Sequence, residues 1–191
     1  MHHDVAISQD QIARYDGPTI VFHWLTAALV GTLWVIGQTV NFPARAWRVD
    51  YRSVHIVLGA MLICVLAARL VWRLSGGLAV PPDRHRLLAA GAKAIHWTLY
   101  LLLTVTLGLG VTYAWARGDS IFNLFRIPSF APGNRTLISQ IGGWHALAAN
   151  AVLILAGLHA IAALSHHYVL RDEVLARMAP IFRRRSQRPS A

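Results

Sequence analysis

GGWHALAANAVLILAGLHAIAALSHH, residues 142–167, is the stretch that decides the fold. It holds no acidic residue, lysine or arginine, and the charge-free run extends from Thr136 to Leu170. A helix crossing the hydrocarbon of a bilayer needs about 20 largely apolar residues. Working outward, Gly17 to Ala44 and Ala94 to Ala116 are equally free of charge. A shorter gap, Ser53 to Ala68, reaches spanning length if Arg69 lies within the helix or if Arg73 snorkels to the surface. The whole chain is 55% hydrophobic and only 14% charged, where a soluble domain carries about 25% charged residues. Helices apolar all round for this length belong in lipid rather than in a soluble core. The pattern predicts an all-α, integral membrane four-helix bundle with up-and-down topology. It forms one domain over residues 1–191, with helices at about 18–40, 54–74, 92–115 and 142–168. The first apolar run follows 16 mostly polar residues, lacks a cleavage pattern and already contains His23, so it is not read as a cleaved signal peptide.

The net charge is +10, from one lysine and 17 arginines against 8 acids. Such a balance suggests nucleic acid, but the cations are scattered between the spans and form no basic face or binding motif. They serve topology better. With the N-terminus placed inside, the inner segments hold 12 basic residues, and the outer loops hold Arg45, Arg48, Arg52, Arg117, Arg126 and Arg135. This asymmetry puts both termini in the cytoplasm and makes membrane lipid the chain's surroundings. Arg183, Arg184 and Arg185 fit a tail near anionic lipid. Six tryptophans, at 24, 47, 72, 97, 115 and 144, fall near predicted helix ends, as an aromatic belt requires. Cys64 is the one cysteine, which excludes an internal disulfide, a covalently attached c-type haem and a four-thiolate iron–sulfur cluster.

The chemistry lies in ten histidines, since each ionisable side chain inside a membrane needs a reason. His145 and His159 are 14 residues apart. At about 100° and 1.5 Å per residue they share a face to within roughly 40° and stand roughly 21 Å apart along the axis. Two metal centres stacked through a bilayer need that geometry. Matching by depth pairs His23 with His159 near the inner side and His55 with His145 near the outer side. Neutral imidazole suits iron, and an iron that only carries electrons takes two axial ligands, so the pairs predict two b-type haems between helices. The bland alternative, a histidine bonding a neighbouring helix, applies to any one position, but four residues matched in depth and face weigh against it. Gly59, Gly142, Gly143 and Gly157 lie near the ligands, where a missing side chain admits a flat macrocycle. His96 is the rival ligand for His23 or His159; its other role is to bond a haem propionate. His85 sits in a polar loop and is read as solvated. Arg69 follows His55 by 14 residues, so it shares that face at the depth of the inner pair. A propionate or a quinone carbonyl would serve as its partner, and snorkelling is the alternative. Arg52 is placed to pair the outer propionates. Arg69, Trp72, Arg73, His166 and His167 gather at one inner depth and predict a quinone pocket.

Tyr15 with His23-Trp24-Leu25, His55 with Gly59, Arg69-Leu-Val-Trp-Arg73, His96-Trp97 with Tyr100, and His145 through His159 to His166-His167 resemble the bacterial cytochrome b561 family. So does the closing Val174-Leu175-x-Arg177-Met178-x-Pro180. The resemblance spans roughly residues 11–182. It implies a di-haem bundle in the bacterial inner membrane with His23, His55, His145 and His159 as ligands, exchanging electrons with ubiquinone. Some members of that family oxidise superoxide on the outer face and pass the electron to ubiquinone. The family is also similar to haem anchor subunits that carry electrons from a partner dehydrogenase or hydrogenase to quinone.

Overall fold

The computed structural model describes residues 15–75, 86–171 and 174–179. The expected inner loop with His85, the polar N-terminal residues before Tyr15 and the Arg183–Arg185 tail lie outside those residues. Four helices carry the fold: α1 (Gly17–Thr39), α2 (Arg48–Leu74), α3 (Arg86–Arg117) and α4 (Arg135–Ser165). All four are long and apolar enough to cross a membrane. Three of them, α2, α3 and α4, reach past their charge-free stretches, because such a stretch measures the hydrocarbon and not the helix, whereas α1 ends within its own. Thus α2 starts at Arg48 rather than near 54, α3 at Arg86 rather than near 92, and α4 at Arg135 rather than near 142. The starts are specified locally. Asp16 Oδ1 accepts from Thr19 N at 3.1 Å with Pro18 in the first turn of α1. Asn134 Oδ1 does the same for Leu137 N at the start of α4.

α1 packs chiefly on α2, and α3 on α4. The four meet in one apolar layer of Leu29, Leu33, Leu62, Leu103 and Val152, each no more than 9% exposed. Two helical turns set this layer. Leu62 lies seven residues from both His55 and Arg69, Val152 seven from both His145 and His159, and Leu103 seven from both His96 and Gly110. Val35, Val57, Leu101 and Ile154 point outward instead, the arrangement of a bundle whose surroundings are as apolar as its core.

Two ends of the bundle differ. Where α1 begins and α4 stops, hereafter the termini end, α4 does not continue as an α-helix to 168. It opens into a π turn over His166–Leu170 and closes with Arg171 in the left-handed region at φ 57°. The short α5 (Val174–Met178) follows, with Ala176 and Ala179 buried. Trp24 Nε1 donates to Met178 O at 2.9 Å and Trp72 Nε1 to Asp16 Oδ2 at 2.7 Å, so two of the belt tryptophans tie down chain ends. At the opposite end the α3–α4 connection contains an element with no expected counterpart, a two-stranded hairpin of β1 (Ser120–Ile121) and β2 (Phe125–Arg126). Phe122 and Asn123 take positive φ at its tip. Ser53, fully buried in α2, anchors it: Oγ accepts from Phe122 N at 2.8 Å and lies 2.8 Å from Val49 O and 3.1 Å from Ser120 O.

Candidate haem-ligating site

At the hairpin end His55 of α2 faces His145 of α4 with ring centres 6.2 Å apart and planes at 84°. At the termini end His23 of α1 faces His159 of α4 at 6.4 Å and 70°. These spacings test whether the residues fit an iron. A metal–imidazole nitrogen bond is about 2.0 Å and the ring centre lies about 1.2 Å further, so two imidazoles on opposite sides of one metal stand about 6.4 Å apart. Both pairs match that span. His96 also approaches His159, but at 5.3 Å, which is short for opposite faces of one metal.

The second nitrogen of each ring matters, because a ligating histidine commonly donates its other N–H to a carbonyl or carboxylate. His145 Nδ1 lies 3.0 Å from Thr106 O. A carbonyl only accepts, so Nδ1 carries the proton and Nε2 is left with its lone pair. His55 Nδ1 is buried and makes no hydrogen bond among the described residues, a group whose burial needs a compensating partner. His23 is set differently. Arg69 Nη2 lies 3.3 Å from its Nδ1. A guanidinium only donates, so Nδ1 accepts here and the proton sits on Nε2. To hold a metal on Nε2, His23 would need its proton on Nδ1, and Arg69 would then need another acceptor. Arg69 is turned inward rather than out to the surface, with its guanidinium 5.3 Å from the Tyr100 ring centre.

The glycines divide. Nothing lies within 4 Å of where a Cβ would stand on Gly59, Gly143 or Gly157. Gly142 is different: the ring of Tyr113 lies against it, with Cζ 2.7 Å from that position, so its smallness serves a helix contact. The glycine that admits one of these imidazoles is Gly110 of α3, where a Cβ would stand 3.0 Å from His145 Cε1. Neither Gly110 nor Tyr113 figures among the sequence-based expectations. The available signal was the spacing of Thr106, Gly110, Tyr113 and Arg117, one face of α3 at i, i+4, i+7 and i+11.

Above the His55–His145 pair, Val40, Asn41, Arg48, Arg52, Tyr113 and Arg117 line a cleft of about 200 Å³. Arg48 is braced by Pro43 O at 3.1 Å and Asn41 O at 3.4 Å. Arg117 lies 5.0 Å from the Tyr113 ring centre and pairs with Asp119 at 3.2 Å. Burial pushes the Asp119 carboxyl above its ordinary pKa, against the opposing pull of Arg117 and Arg52. Arg52 lines the cleft one turn from His55 and makes no hydrogen bond among the described residues. The residues of the expected quinone pocket are placed less compactly. Arg69 engages His23, Trp72 engages Asp16, Arg73 is exposed, His166 sits in the π turn, and His167 is buried there beside α5.

A family model described as prokaryotic cytochrome b561 matches residues 14–180. The chain is 30% identical over 170 residues to "Probable superoxide oxidase CybB" of Yersinia pestis, covering 87% of this chain and 96% of that one. It is 29% identical over 171 residues to "Cytochrome b561 homolog 2" of Escherichia coli (strain K12), covering 86% and 90%. It is 31% identical over 169 residues to "Cytochrome b562" of Cereibacter sphaeroides, covering 83% and 90%. With four membrane-spanning helices and this match over most of its length, the chain belongs to the prokaryotic cytochrome b561 family, the haem b electron-transfer proteins of the bacterial inner membrane.

Proposed function

We propose that the chain takes electrons from a small anionic donor outside the cell membrane, superoxide, and delivers them to ubiquinone. The observation that carries this reading is the two cross-helix imidazole pairs, at 6.2 and 6.4 Å, spaced along α4 by roughly 21 Å. His55 with His145 and His23 with His159 would hold one haem b each, and the haems supply the one-electron steps between the two membrane faces. The hairpin end faces outward and both termini face the cytoplasm, in line with the arginine asymmetry of the loops.

The chain's own residues do the rest. Arg48, Arg52 and Arg117 at the mouth attract a small anion and raise its encounter rate. Superoxide gives up one electron and leaves as dioxygen, so the mouth needs charge and no base. Arg52 is one turn from His55 and fits the propionates of the outer group; Arg69, released from His23, fits those of the inner group. At the termini end Arg69, Trp72, Arg73, His166 and His167 would bind the quinone head. Each quinone takes two electrons and two protons to become quinol, and histidine can pass protons at neutral pH.

Rapid mixing tests this assignment. Neutralising Arg48 and Arg52 together should slow haem reduction by superoxide and weaken its salt dependence. Changing Arg69 or His166 should leave reduction fast and block reoxidation by quinone. The opposite pattern would put the quinone on the outer side and reverse the direction. A second reading, an anchor passing electrons from a partner dehydrogenase or hydrogenase to quinone, draws on Phe42, Leu124 and Phe125, apolar side chains exposed at the hairpin end. Purification with a stable large partner, together with no reduction by superoxide, would favour the anchor.

A further inference from the structure

Charge alone does not distinguish one small anion from another, and of the cleft's three guanidiniums Arg52 is the one assigned above to the outer propionates, while the other two are already engaged. Arg48 directs two of its donors at loop carbonyls. Arg117 is held between Asp119 and the Tyr113 ring. Tyr113 differs. Its phenol makes no hydrogen bond among the described residues, although it lines the same cleft. Its ring is seated from two sides, on the backbone of Gly142 and under the Arg117 guanidinium. Gly142 precedes His145 by three residues, and Gly110, which touches His145, precedes Tyr113 by three, so Tyr113 stands about one turn from the His55–His145 pair and lines the cleft. The result is a phenol fixed in the lining of a positive mouth, its ring and hydroxyl seated against Gly142. A hydrogen bond from such a donor rewards an anion with a localised oxygen lone pair more than a spherical halide.

We propose that Tyr113 is a substrate-contacting residue: its phenol O–H donates a hydrogen bond to an oxygen of the anion gathered by Arg48, Arg52 and Arg117, so that the cleft selects small oxyanions over halides. The proposal rests on the hairpin end being the donor side. No atom is transferred in the step; the anion loses one electron and departs as dioxygen, and Tyr113 keeps its proton throughout.

The test uses the haem-loaded full chain in detergent, with formate and chloride titrated calorimetrically at constant ionic strength. Tyr113→Phe keeps the ring and removes only the donor. It should weaken formate binding at least about tenfold, the loss of one hydrogen bond to a charged group, and leave chloride binding unchanged. The second-order rate of haem reduction by superoxide should fall in parallel. Gly142→Ala, which drives a methyl group into the Tyr113 ring, should give the same pattern with the phenol retained. The proposal is overturned if wild type binds no formate, if Tyr113→Phe binds formate like wild type, or if formate and chloride weaken equally. If superoxide fails to reduce the wild-type chain while the formate pattern holds, the functional reading falls and the role of Tyr113 in anion selection stands.

Discussion

Replacing Gly110 by alanine should loosen the haem at the hairpin end and leave the other in place. The added methyl carbon would stand 3.0 Å from His145 Cε1 and 3.3 Å from Nδ1, so the imidazole must move by a few tenths of an ångström. That ring is not free to move, because Nδ1 donates to Thr106 O at 3.0 Å. Overpacking of this kind costs about 1–3 kcal/mol, and a strained neutral hydrogen bond adds up to about 1 kcal/mol. Opposing both is the gain of about 0.5–1 kcal/mol from alanine over glycine in a helix. Gly108→Ala separates these effects, since nothing lies within 4 Å of a Cβ at that position. It should carry the helix gain alone. Relative to Gly108→Ala, Gly110→Ala should therefore hold its hairpin-end haem less tightly by about 1–3 kcal/mol, with each 1.4 kcal/mol worth tenfold. The assay is haem retention during chelation by excess apomyoglobin, followed as reduced-minus-oxidised spectra. Equal retention of both haems in the two variants would refute the placement of His145 as a ligand wedged against α3.

His145→Ala should remove only the hairpin-end haem and His159→Ala only the other, read as haem per chain; one haem per chain in the wild type would sink the pairing. Ser53→Ala should lower the melting temperature by an amount matching about 1–3 kcal/mol, because Phe122 N loses its acceptor beside a fully buried site. A melt unchanged within error would mean that the hairpin adds nothing to stability. Burial raises the Asp119 pKa above its unfolded value, so its contribution to stability is full below the unfolded pKa and is lost as pH rises through the folded one. Asp119→Asn should flatten that part of the stability–pH curve. It should also raise the superoxide rate most at neutral pH, where the wild-type carboxylate offsets Arg117; a rate profile parallel to wild type would contradict this.

The membrane class and the number of spans were legible because charge is costly in hydrocarbon, and four gaps in a string of arginines mark four crossings. Helix ends were less legible for the same reason. Arg52, Lys93 and Arg135 mark where the charge-free stretches begin, yet α2 and α3 stay helical back to Arg48 and Arg86, and α4 is capped by Asn134 at Arg135. The facing of His23 on His159 and of His55 on His145 followed from matching depth across the spans, with the 14 residues between His145 and His159, about four turns, keeping both on one face of α4. What surrounds them did not. Gly110 is one of three glycines in α3 outside any histidine motif, and only the approach of α4 distinguishes it from Gly108. Trp72 reads as a belt residue, while its indole bonds a helix cap 56 positions away in sequence. The hairpin of 120–126 is too short for a period of two to register, and it exists because a serine in α2 accepts its backbone.

The layer of Leu29, Leu33, Leu62, Leu103 and Val152 places apolar side chains between the two histidine pairs. Electrons can tunnel through such a layer, and protons need a chain of hydrogen bonds. If the chain works in the proposed direction, charge therefore moves uncompensated over roughly 21 Å of rise, about 0.7 of a hydrocarbon core near 30 Å thick. A full crossing is worth about 2.3 kcal/mol per 100 mV, so each electron sent inward climbs about 1.6 kcal/mol for every 100 mV of inside-negative potential. The protein would then act as a generator that charges the membrane and feels its back-pressure: fast in a de-energised cell, slowed in an energised one, and accelerated in sealed vesicles by an ionophore that collapses the voltage.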